Sequence, residues 1–557
     1  MKDKKRNDDV SSLNAIIKES IKKNWDRMAF SDMGGINYQY KDVAEQIAKL
    51  HIMFDAAGVK KGDRVAICGK NSSNWAVIFL SCITAGVVAV PILHEFKPDT
   101  VHHLVNHCGA KLLFVDAGIW ENLDEKNLPE LEAVLFISEF GMPYSKNKKL
   151  TETRNNINEC FGKKYPYSFT KESLEYFEDK PEDLALINYT AGSTGMSKGV
   201  ELPFRSIWSN IRFCVDNLDW FKAGDGIVNM LPLAHLYGMT VEMLHPICKG
   251  CHCYFLTKLP SPKIILGAFA EVHPKLIVTV PLIIEKIIRN KVFPQLEKPL
   301  TKFLLKLPGL EKYILKKVRA QLMQAFGGNL HEVIVGGAPL NADVEKFLQK
   351  IDFPLTVGYG MTECGPLISY APSNETRPHS VGKIVDRMEI RIMSDDPETI
   401  PGNIQVRGMN VMQGYYKNPK ATEEVMGKDG WMDTGDRGII DKDGFIYIMG
   451  RSKTMILGPS GQNIYPEEIE AKLNNLPYVN ESLIIEKDGQ IVALIHPDFD
   501  AALKDGKDRE KLEKVMQQNI ELLNKDIPAY SKVKDFKIFD EEFEKTPKRS
   551  IKRFLYS

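Results

Sequence analysis

The 557-residue sequence predicts an α/β fold, with parallel sheets flanked by helices in a large N-terminal domain. Short β-branched runs alternate with helical patterns through most of the chain, which is typical of parallel sheets covered by helices. The clearest runs are Arg64–Cys68, Lys111–Val115, Leu276–Val280 and Glu332–Val335. From about residue 380 to 450, glycines and short strand patterns replace the helical repeats, which predicts a β-rich subdomain.

The end of the chain predicts a second, smaller α+β domain. It carries strand patterns at 482–486 and 491–495 and a long helical pattern near 508–525. We therefore predict an N-terminal domain over residues 1–452, which includes the β-rich subdomain, and a C-terminal domain over residues 453–557.

Composition and charge limit the partners, the location and the metal sites that we expect for this protein. The 73 basic and 73 acidic residues cancel, so we expect no nucleic-acid partner. Nine scattered cysteines are typical of reduced thiols in a cytosol, and the polar first ten residues lack the apolar core of a signal peptide. We expect a cytoplasmic location.

Cys248, Cys251 and Cys253 lack a second pair at structural-zinc spacing, so buried thiols are favoured over a metal site.

Two segments bear on membrane contact. Residues 75–93 carry no charge, but Gly86 and Pro91 interrupt them, which predicts a buried helix at 75–85 and a buried strand at 87–92. Residues 298–319 hold seven basic residues and one acidic residue, with leucines and Phe303 at near-helical spacing. Two solvated helices that break at 308–309 are the favoured interpretation. Peripheral contact with the inner face of a membrane remains the alternative.

The strongest local motif is Asn188-Tyr-Thr-Ala-Gly-Ser-Thr-Gly-Met-Ser-Lys-Gly-Val200, directly after an apolar run. A strand that ends in Gly, Ser and Thr offers backbone N–H groups and hydroxyls to phosphate oxygens, and Lys198 adds positive charge. The motif differs from the Walker-type loop because Gly192 and Gly195 are too close together and Gly199 follows Lys198.

Three further motifs fit a nucleotide site. Gly336-Gly-Ala-Pro-Leu340 follows a predicted strand. Gly358-Tyr-Gly-Met-Thr-Glu-Cys-Gly-Pro366 places Tyr359, on which a planar base can stack, near Glu363, an oxygen ligand suited to Mg²⁺. Gly430-Trp-Met-Asp-Thr-Gly-Asp436 and Gly450-Arg-Ser-Lys453 supply a carboxylate that can accept hydrogen bonds from ribose hydroxyls, and a guanidinium that can support it.

Together and in this order, the motifs resemble those of the acyl-activating, adenylate-forming superfamily of AMP-binding enzymes. The resemblance runs from about Tyr38 to the C-terminus and includes Leu231-Pro-Leu-Ala-His-Leu-Tyr-Gly238 and residues 458–470. The spacing from Val280-Pro281 to Phe326-Gly-Gly328 looks most like long-chain fatty acyl-CoA synthetases. The resemblance implies that a fatty carboxylate attacks the α-phosphate of ATP, giving acyl-adenylate and pyrophosphate, and that CoA then displaces AMP.

The resemblance also implies a role for each motif residue. It assigns the phosphate loop to Thr190, Gly192, Ser193, Thr194, Gly195 and Lys198, with Thr362 touching the phosphate. It assigns the adenine site to Gly337, Ala338, Tyr359, Gly360 and Met361, the ribose to Asp436 and Arg451, and Mg²⁺ to Glu363 and Thr190. It places His235 between the acyl and CoA channels, Lys453 at the hinge of a mobile C-terminal domain, and Gly461 against CoA.

The end of the chain departs from the family pattern. In the run Thr546-Pro-Lys-Arg-Ser-Ile-Lys-Arg553, Ser550 stands where the family carries a lysine that contacts the carboxylate and the α-phosphate. Serine cannot supply that charge. Lys548 or Lys552 could replace it, and the sequence leaves the choice open.

We therefore predict an AMP-forming fatty acid–CoA ligase for medium- to long-chain acids, with ATP, Mg²⁺ and CoA as co-substrate. No obligate protein partner is expected. Two alternatives stay open: transfer of the acyl group to a carrier protein, and a nucleotide- or acyl-binding pseudoenzyme, which is suggested by Ser550.

Overall fold

The computed structural model describes residues 12–190, 197–258, 261–307, 309–452, 454–457, 463–487, 489–545 and 551–556. Its α-helices, in chain order, are α1 Leu13–Lys23, α2 Tyr40–Ala57, α3 Ser73–Thr84, α4 Pro98–Cys108, α5 Ala117–Trp120, α6 Lys148–Asn155, α7 Ile157–Lys164, α8 Phe204–Asn217, α9 His245–Lys249, α10 Pro262–Val272, α11 Pro281–Ile287, α12 Phe293–Leu296, α13 Pro299–Leu305, α14 Leu310–Ala325, α15 Ala342–Lys350, α16 Pro419–Val425, α17 Pro466–Leu473, α18 Phe499–Lys504 and α19 Arg509–Asp526.

Its strands, in chain order, are β1 Met28–Asp32, β2 Asn37–Gln39, β3 Arg64–Cys68, β4 Val88–Ile92, β5 Ala110–Val115, β6 Ala133–Phe136, β7 Tyr144–Ser145, β8 Leu184–Thr190, β9 Lys198–Pro203, β10 Gly226–Asn229, β11 His252–Phe255, β12 Leu276–Thr279, β13 Glu332–Val335, β14 Leu355–Val357, β15 Tyr359–Gly360, β16 Leu367–Tyr370, β17 Lys383–Ile384, β18 Met388–Met393, β19 Gly402–Gly408, β20 Gly414–Tyr415, β21 Met432–Ile440, β22 Ile446–Arg451, β23 Ile456–Leu457, β24 Asn463–Ile464, β25 Val479–Lys487, β26 Gln490–Pro497 and β27 Asp535–Ile538.

The largest sheet has eight strands in the order β20-β9-β8-β4-β3-β5-β6-β7. Its five central strands, from β8 to β6 in that order, run parallel. Successive residues of β3 face opposite sides: Val65 and Ile67 pack with residues of α2 and α3, whereas Ala66 and Cys68 pack with residues of α4. Helices therefore cover both faces of the sheet, and the predicted fold class is confirmed.

The uncharged segment at 75–93 forms a buried helix and a buried strand. Ser72 caps α3 by accepting a hydrogen bond from the Trp75 backbone N–H, and the chain turns at Gly86, where φ is +70°. Trp75 and Phe79 stack on each other with no exposed surface. Within the described ranges, every helix is too short or too polar to span a bilayer.

Smaller sheets surround the main one. A parallel three-stranded sheet, β12-β13-β14, lies near the four-stranded sheet β10-β11-β1-β2. In the β-rich segment, β18, β19, β21 and β22 form an antiparallel sheet, and β21 alternates buried and half-buried residues along its length. Cys251 and Cys253 are buried thiols, as predicted, whereas Cys248 is half-buried.

The C-terminal residues have their own sheet and core. Strands β25, β26 and β27 pack with α17 and α19, and Leu473, Ile495 and Met516 belong to a cluster separate from the N-terminal cores. The predicted helix near 508–525 is confirmed as α19, which Asp508 caps. At the contact with the preceding chain, Arg289 Nη1 donates to the Asn474 carbonyl oxygen at 3.0 Å.

Candidate functional site

The site begins where β8 ends and β9 starts. Thr190, the last residue of β8, is the antiparallel partner of Lys198, the first residue of β9. The hydroxyl of Thr190 donates to the carbonyl oxygen of Lys198 at 3.5 Å. These two residues therefore flank the predicted phosphate loop, whose remaining residues, Gly192, Ser193, Thr194 and Gly195, lie outside the described residues.

Tyr415 links the side chains predicted to act on the phosphates and the metal. Strand β20 pairs with β9 and sets Tyr415 opposite Val200. The centre of its ring lies 4.7 Å from Lys198 Nζ, and its hydroxyl donates to Glu363 Oε1 at 2.9 Å. Burial and the nearby Glu363 carboxylate raise the pKa of Tyr415 well above its ordinary value. The hydroxyl therefore keeps its proton and can hold the carboxylate.

A single 3₁₀ turn, Thr362–Cys364, carries Glu363. Asn210 on α8 fixes this turn from both sides, because its Nδ2 donates to the Cys364 carbonyl oxygen at 3.1 Å and its Oδ1 accepts from the Leu367 N–H at 2.8 Å. Asn210 is almost fully buried. A buried amide with both ends bonded is a rigid support, so the orientation of Glu363 is set by α8 as well as by Tyr415.

Asp436 and Arg451 face each other across an antiparallel strand pair, as direct partners of β21 and β22. Arg451 Nε lies 3.4 Å from Asp436 Oδ1, and the Tyr359 hydroxyl donates to Asp436 Oδ2 at 2.6 Å. Asp436 is only 8% exposed. Burial raises the pKa of its carboxyl, while Arg451 and Tyr359 favour the ionised form. The carboxylate is thus held between a cation and the ring that is predicted to stack on adenine.

The end of β13 forms another wall of the site. The Gly358 N–H donates to the Val335 carbonyl oxygen at 2.8 Å, which places the end of β13 beside the chain that enters Tyr359. Gly337 and Ala338 follow Val335 closely and are exposed, and Gly337 has a φ of +88° that favours glycine. The predicted adenine residues therefore come from two adjacent chain segments.

His235 lies on the side of the site between β8 and β13. Asn188 on β8 donates to the Ala234 carbonyl oxygen at 2.8 Å, and the Tyr237 hydroxyl donates to the Ile334 carbonyl oxygen at 3.0 Å. His235 is half-buried between these two attachments. Two residues further along the chain, a π-helical turn begins that spans Gly238–Leu244, a feature common at functional sites.

Most described candidates belong to one set, which is made of two groups of contacts. Tyr415 links Lys198 and Glu363 in the first group, next to Thr190, whereas Asp436 contacts Tyr359 and Arg451 in the second. The chain segment from Tyr359 to Glu363, with Gly360, Met361 and Thr362, connects the two groups. Gly337, Ala338 and His235 adjoin the set through the β13 end. The candidates Lys453, Gly461 and Lys548 lie outside the described residues.

Lys552 is described and lies apart from this set. Its Nζ pairs with Glu544 Oε1 at 2.5 Å, and its backbone N–H donates to the Glu544 carbonyl oxygen at 2.8 Å. The next residue, Arg553, pairs with Glu470, a buried carboxyl whose pKa burial raises to about 7 against the opposing effect of Arg553. Residues 552 and 553 are therefore both bound to acidic partners of the C-terminal chain.

Sequence reasoning did not find Tyr415 or Asn210. The Tyr415–Glu363 bond spans 52 positions and the Asn210–Cys364 bond spans 154, so no local pattern records either contact. The pairing of β20 with β9 is what brings Tyr415 to the site, and a two-residue strand gives almost no sequence signal.

The residues present fit a magnesium ion that is shared with a nucleotide. Within the described ranges, no cluster of three or more His, Cys, Asp or Glu side chains could hold a metal ion alone. Magnesium in nucleotide sites takes one or two carboxylates and completes its shell with phosphate oxygens and water. Glu363, which Tyr415 holds, would supply the carboxylate of such a shell, and the Thr190 hydroxyl is the other predicted ligand.

Comparison with known proteins identifies the family. The AMP-binding enzyme family matches residues 17–416, and the AMP-binding enzyme C-terminal domain matches residues 453–556. The chain belongs to the AMP-binding enzyme family. The resemblance predicted from the motifs is thus confirmed.

Proteins that are similar to this AMP-binding enzyme in sequence or in fold are named for different acids. A long-chain-fatty-acid–CoA ligase of Escherichia coli O157:H7 is 28% identical over 504 residues, 85% of this chain and 82% of that protein. The solved anthranilate CoA ligase AuaEII, in complex with anthranoyl-AMP, aligns with a TM-score of 0.78 at 18% identity, over 98% of this chain and 96% of that one. The o-succinylbenzoate coenzyme A synthetase MenE of Bacillus subtilis, with ATP and magnesium, aligns with a TM-score of 0.73 at 19% identity, over 97% and 98%.

Proposed function

We propose that this AMP-binding enzyme is an AMP-forming fatty acid–CoA ligase for medium- to long-chain acids. The acid and ATP give acyl-adenylate and pyrophosphate; the adenylate and CoA then give acyl-CoA and AMP. The observation that supports the proposal is the pair of contact chains Lys198–Tyr415–Glu363 and Tyr359–Asp436–Arg451, which the short segment 359–363 connects. We favour a fatty acid as the substrate because the 28% identical relative is named a long-chain-fatty-acid–CoA ligase.

In this proposal the protein works mainly by position and charge. Lys198, Thr362 and the phosphate loop bind the triphosphate, while Asp436 and Arg451 hold the ribose and Tyr359 the base. A magnesium ion on Glu363 and Thr190 neutralises phosphate charge. Fixing the carboxylate in line with the α-phosphate lowers the barrier without a covalent bond to the protein. His235 separates the acyl and CoA channels, and rotation about Lys453 brings Gly461 to CoA for the second step.

The proposal is tested by pyrophosphate release from ATP and Mg²⁺ with a panel of acids, with and without CoA. We expect release that requires an acid of medium or long chain, and a CoA thioester as the product when CoA is present. If the acyl group is transferred to a holo carrier protein and not to CoA, the carrier protein is the acceptor of the second step. ATP binding without pyrophosphate release, for acids from short to very long chain, would contradict the proposal and favour a binding protein.

The role of Tyr415 is tested by Tyr415→Phe. The substitution keeps the ring beside Lys198 and removes only the hydroxyl that holds Glu363. Loss of a group that orients a metal ligand typically costs 10–100-fold in metal affinity or activity. We therefore expect pyrophosphate release to fall about tenfold and the required Mg²⁺ concentration to rise.

Tyr416→Phe is the matched control, since the hydroxyl of that neighbouring tyrosine points to the Cys108 carbonyl oxygen instead. It should leave the Mg²⁺ dependence unchanged. An unaltered Mg²⁺ titration in Tyr415→Phe would show that the hydroxyl does not position the metal ligand.

A further inference from the structure

The segment predicted as two basic helices forms a hairpin on the protein surface. We call residues 298–319 the basic hairpin; α13 and the first part of α14 belong to it, and Gly309, with φ +84°, separates them. The predicted break is confirmed. No described residue of the basic hairpin is buried. Its apolar residues are half-buried or exposed, and Leu315 packs against the core cluster that contains β13.

Four large apolar side chains project from this hairpin into solvent. Leu300 is 70% exposed, Phe303 62%, Leu310 40% and Tyr313 67%. Only eight other large apolar side chains of the described chain reach such exposure, and most of them are dispersed. Single exposed apolar residues are normal, but four of them between residues 300 and 313 are typical of a surface that meets a partner.

The same hairpin carries unneutralised positive charge. Within the described chain, no carboxylate lies within ion-pair distance of Lys298, Lys302, Lys306, Lys312, Lys316 or Lys317. The one acid of the hairpin, Glu311, is already paired with Lys350 at 2.6 Å. Because the whole chain has a formal charge of zero, this is a local concentration of charge. A partner that is complementary to this positive charge has an anionic surface.

The exposed apolar side chains and the unpaired lysines together indicate what kind of partner binds the basic hairpin. A soluble polyanion would be attracted by the lysines but offers no place for Leu300, Phe303 and Tyr313. A bilayer with anionic headgroups accepts both, because apolar side chains enter the acyl boundary while lysines stay among the phosphates. We propose that the basic hairpin docks this protein on an anionic membrane surface. The proposal goes beyond the ligase function and does not depend on it.

The test is sedimentation of the full chain with vesicles of phosphatidylcholine alone or mixed with phosphatidylglycerol. We expect binding only to the anionic vesicles, weakened by salt. Lys302→Gln with Lys312→Gln should weaken the apparent affinity about tenfold or more, since each lysine near an anionic bilayer contributes favourable binding free energy. Leu300→Ser with Phe303→Ser should weaken it to a similar degree. All four residues are exposed, so the variants should keep the wild-type melting temperature.

Matched controls come from exposed residues of α18 and α19. Leu503→Ser with Leu522→Ser, and Lys504→Gln with Lys525→Gln, should bind as wild type. A Phe303→Trp variant should gain quenching by brominated lipid on anionic vesicles. The proposal is overturned if anionic vesicles are not bound, or if the lysine and apolar hairpin variants bind as the controls do. Equal retention on heparin by wild type and the apolar variant, without vesicle binding, would identify a soluble polyanion instead.

Discussion

Glu363→Gln is expected to lower acid-dependent pyrophosphate release about 100-fold or more. Glutamine keeps the size of the side chain and an oxygen that can accept from Tyr415, so the substitution removes the negative charge and little else. Magnesium prefers anionic oxygen ligands, so the variant should bind the ion more weakly. With less magnesium bound, less of the negative charge on the triphosphate is neutralised as pyrophosphate leaves. The measurement is the initial rate at several Mg²⁺ concentrations, where the variant should approach saturation only at a much higher concentration.

Glu398→Gln is the matched control, since Glu398 is an exposed acid in the turn between β18 and β19. The same loss of formal charge there should leave the rate unchanged, which separates a site effect from a change in overall charge. A wild-type rate and Mg²⁺ dependence for Glu363→Gln would remove Glu363 from the metal site. The Tyr415→Phe prediction would then lose its basis as well, because Tyr415 is expected to act through that carboxylate.

The elements of the fold were predictable where the signal is local. Glu332–Val335 is both the predicted and the observed strand, and α19 lies within one residue of the predicted helix. Each is a run of suitable residues ended by polar or turn-forming neighbours, which periodicity can detect. The site motifs are equally local, because each one lies in or beside a strand and supplies its chemistry within a few residues.

Contacts between distant segments were not predictable in the same way. Asp436 and Arg451 were paired by their expected chemistry, and the strand register that sets them opposite each other is visible only in the fold. Tyr415 had no expected role at all. In the basic hairpin the spacing predicts two helices, but periodicity cannot tell whether another element covers their apolar residues. The exposure of Phe303 and Tyr313 answers that question.

Lys548→Ala is expected to lower adenylation about 100-fold, the scale typical of losing a group aimed at developing charge. The resemblance to the family implies that Ser550 replaces a lysine that contacts the α-phosphate, and Lys548 and Lys552 flank this position. Lys548 lies outside the described residues, and Lys552 is paired with Glu544 through both its ammonium and its backbone N–H. We therefore expect Lys548 to supply the charge. The measurement is acid-dependent exchange of pyrophosphate into ATP, which follows the first half-reaction alone.

Lys552→Ala is the control built into the same segment, and it should retain exchange within about a factor of three, because exposed ion pairs contribute little. Supplying preformed acyl-adenylate with CoA bypasses the first step, so both variants should then form thioester at the wild-type rate. Loss of exchange in Lys552→Ala alone would mean that the Glu544 pair opens during adenylation. Full exchange in both variants would mean that neither lysine replaces the missing cation, and that the remaining charges of the site, Lys198 above all, are sufficient for the chemistry.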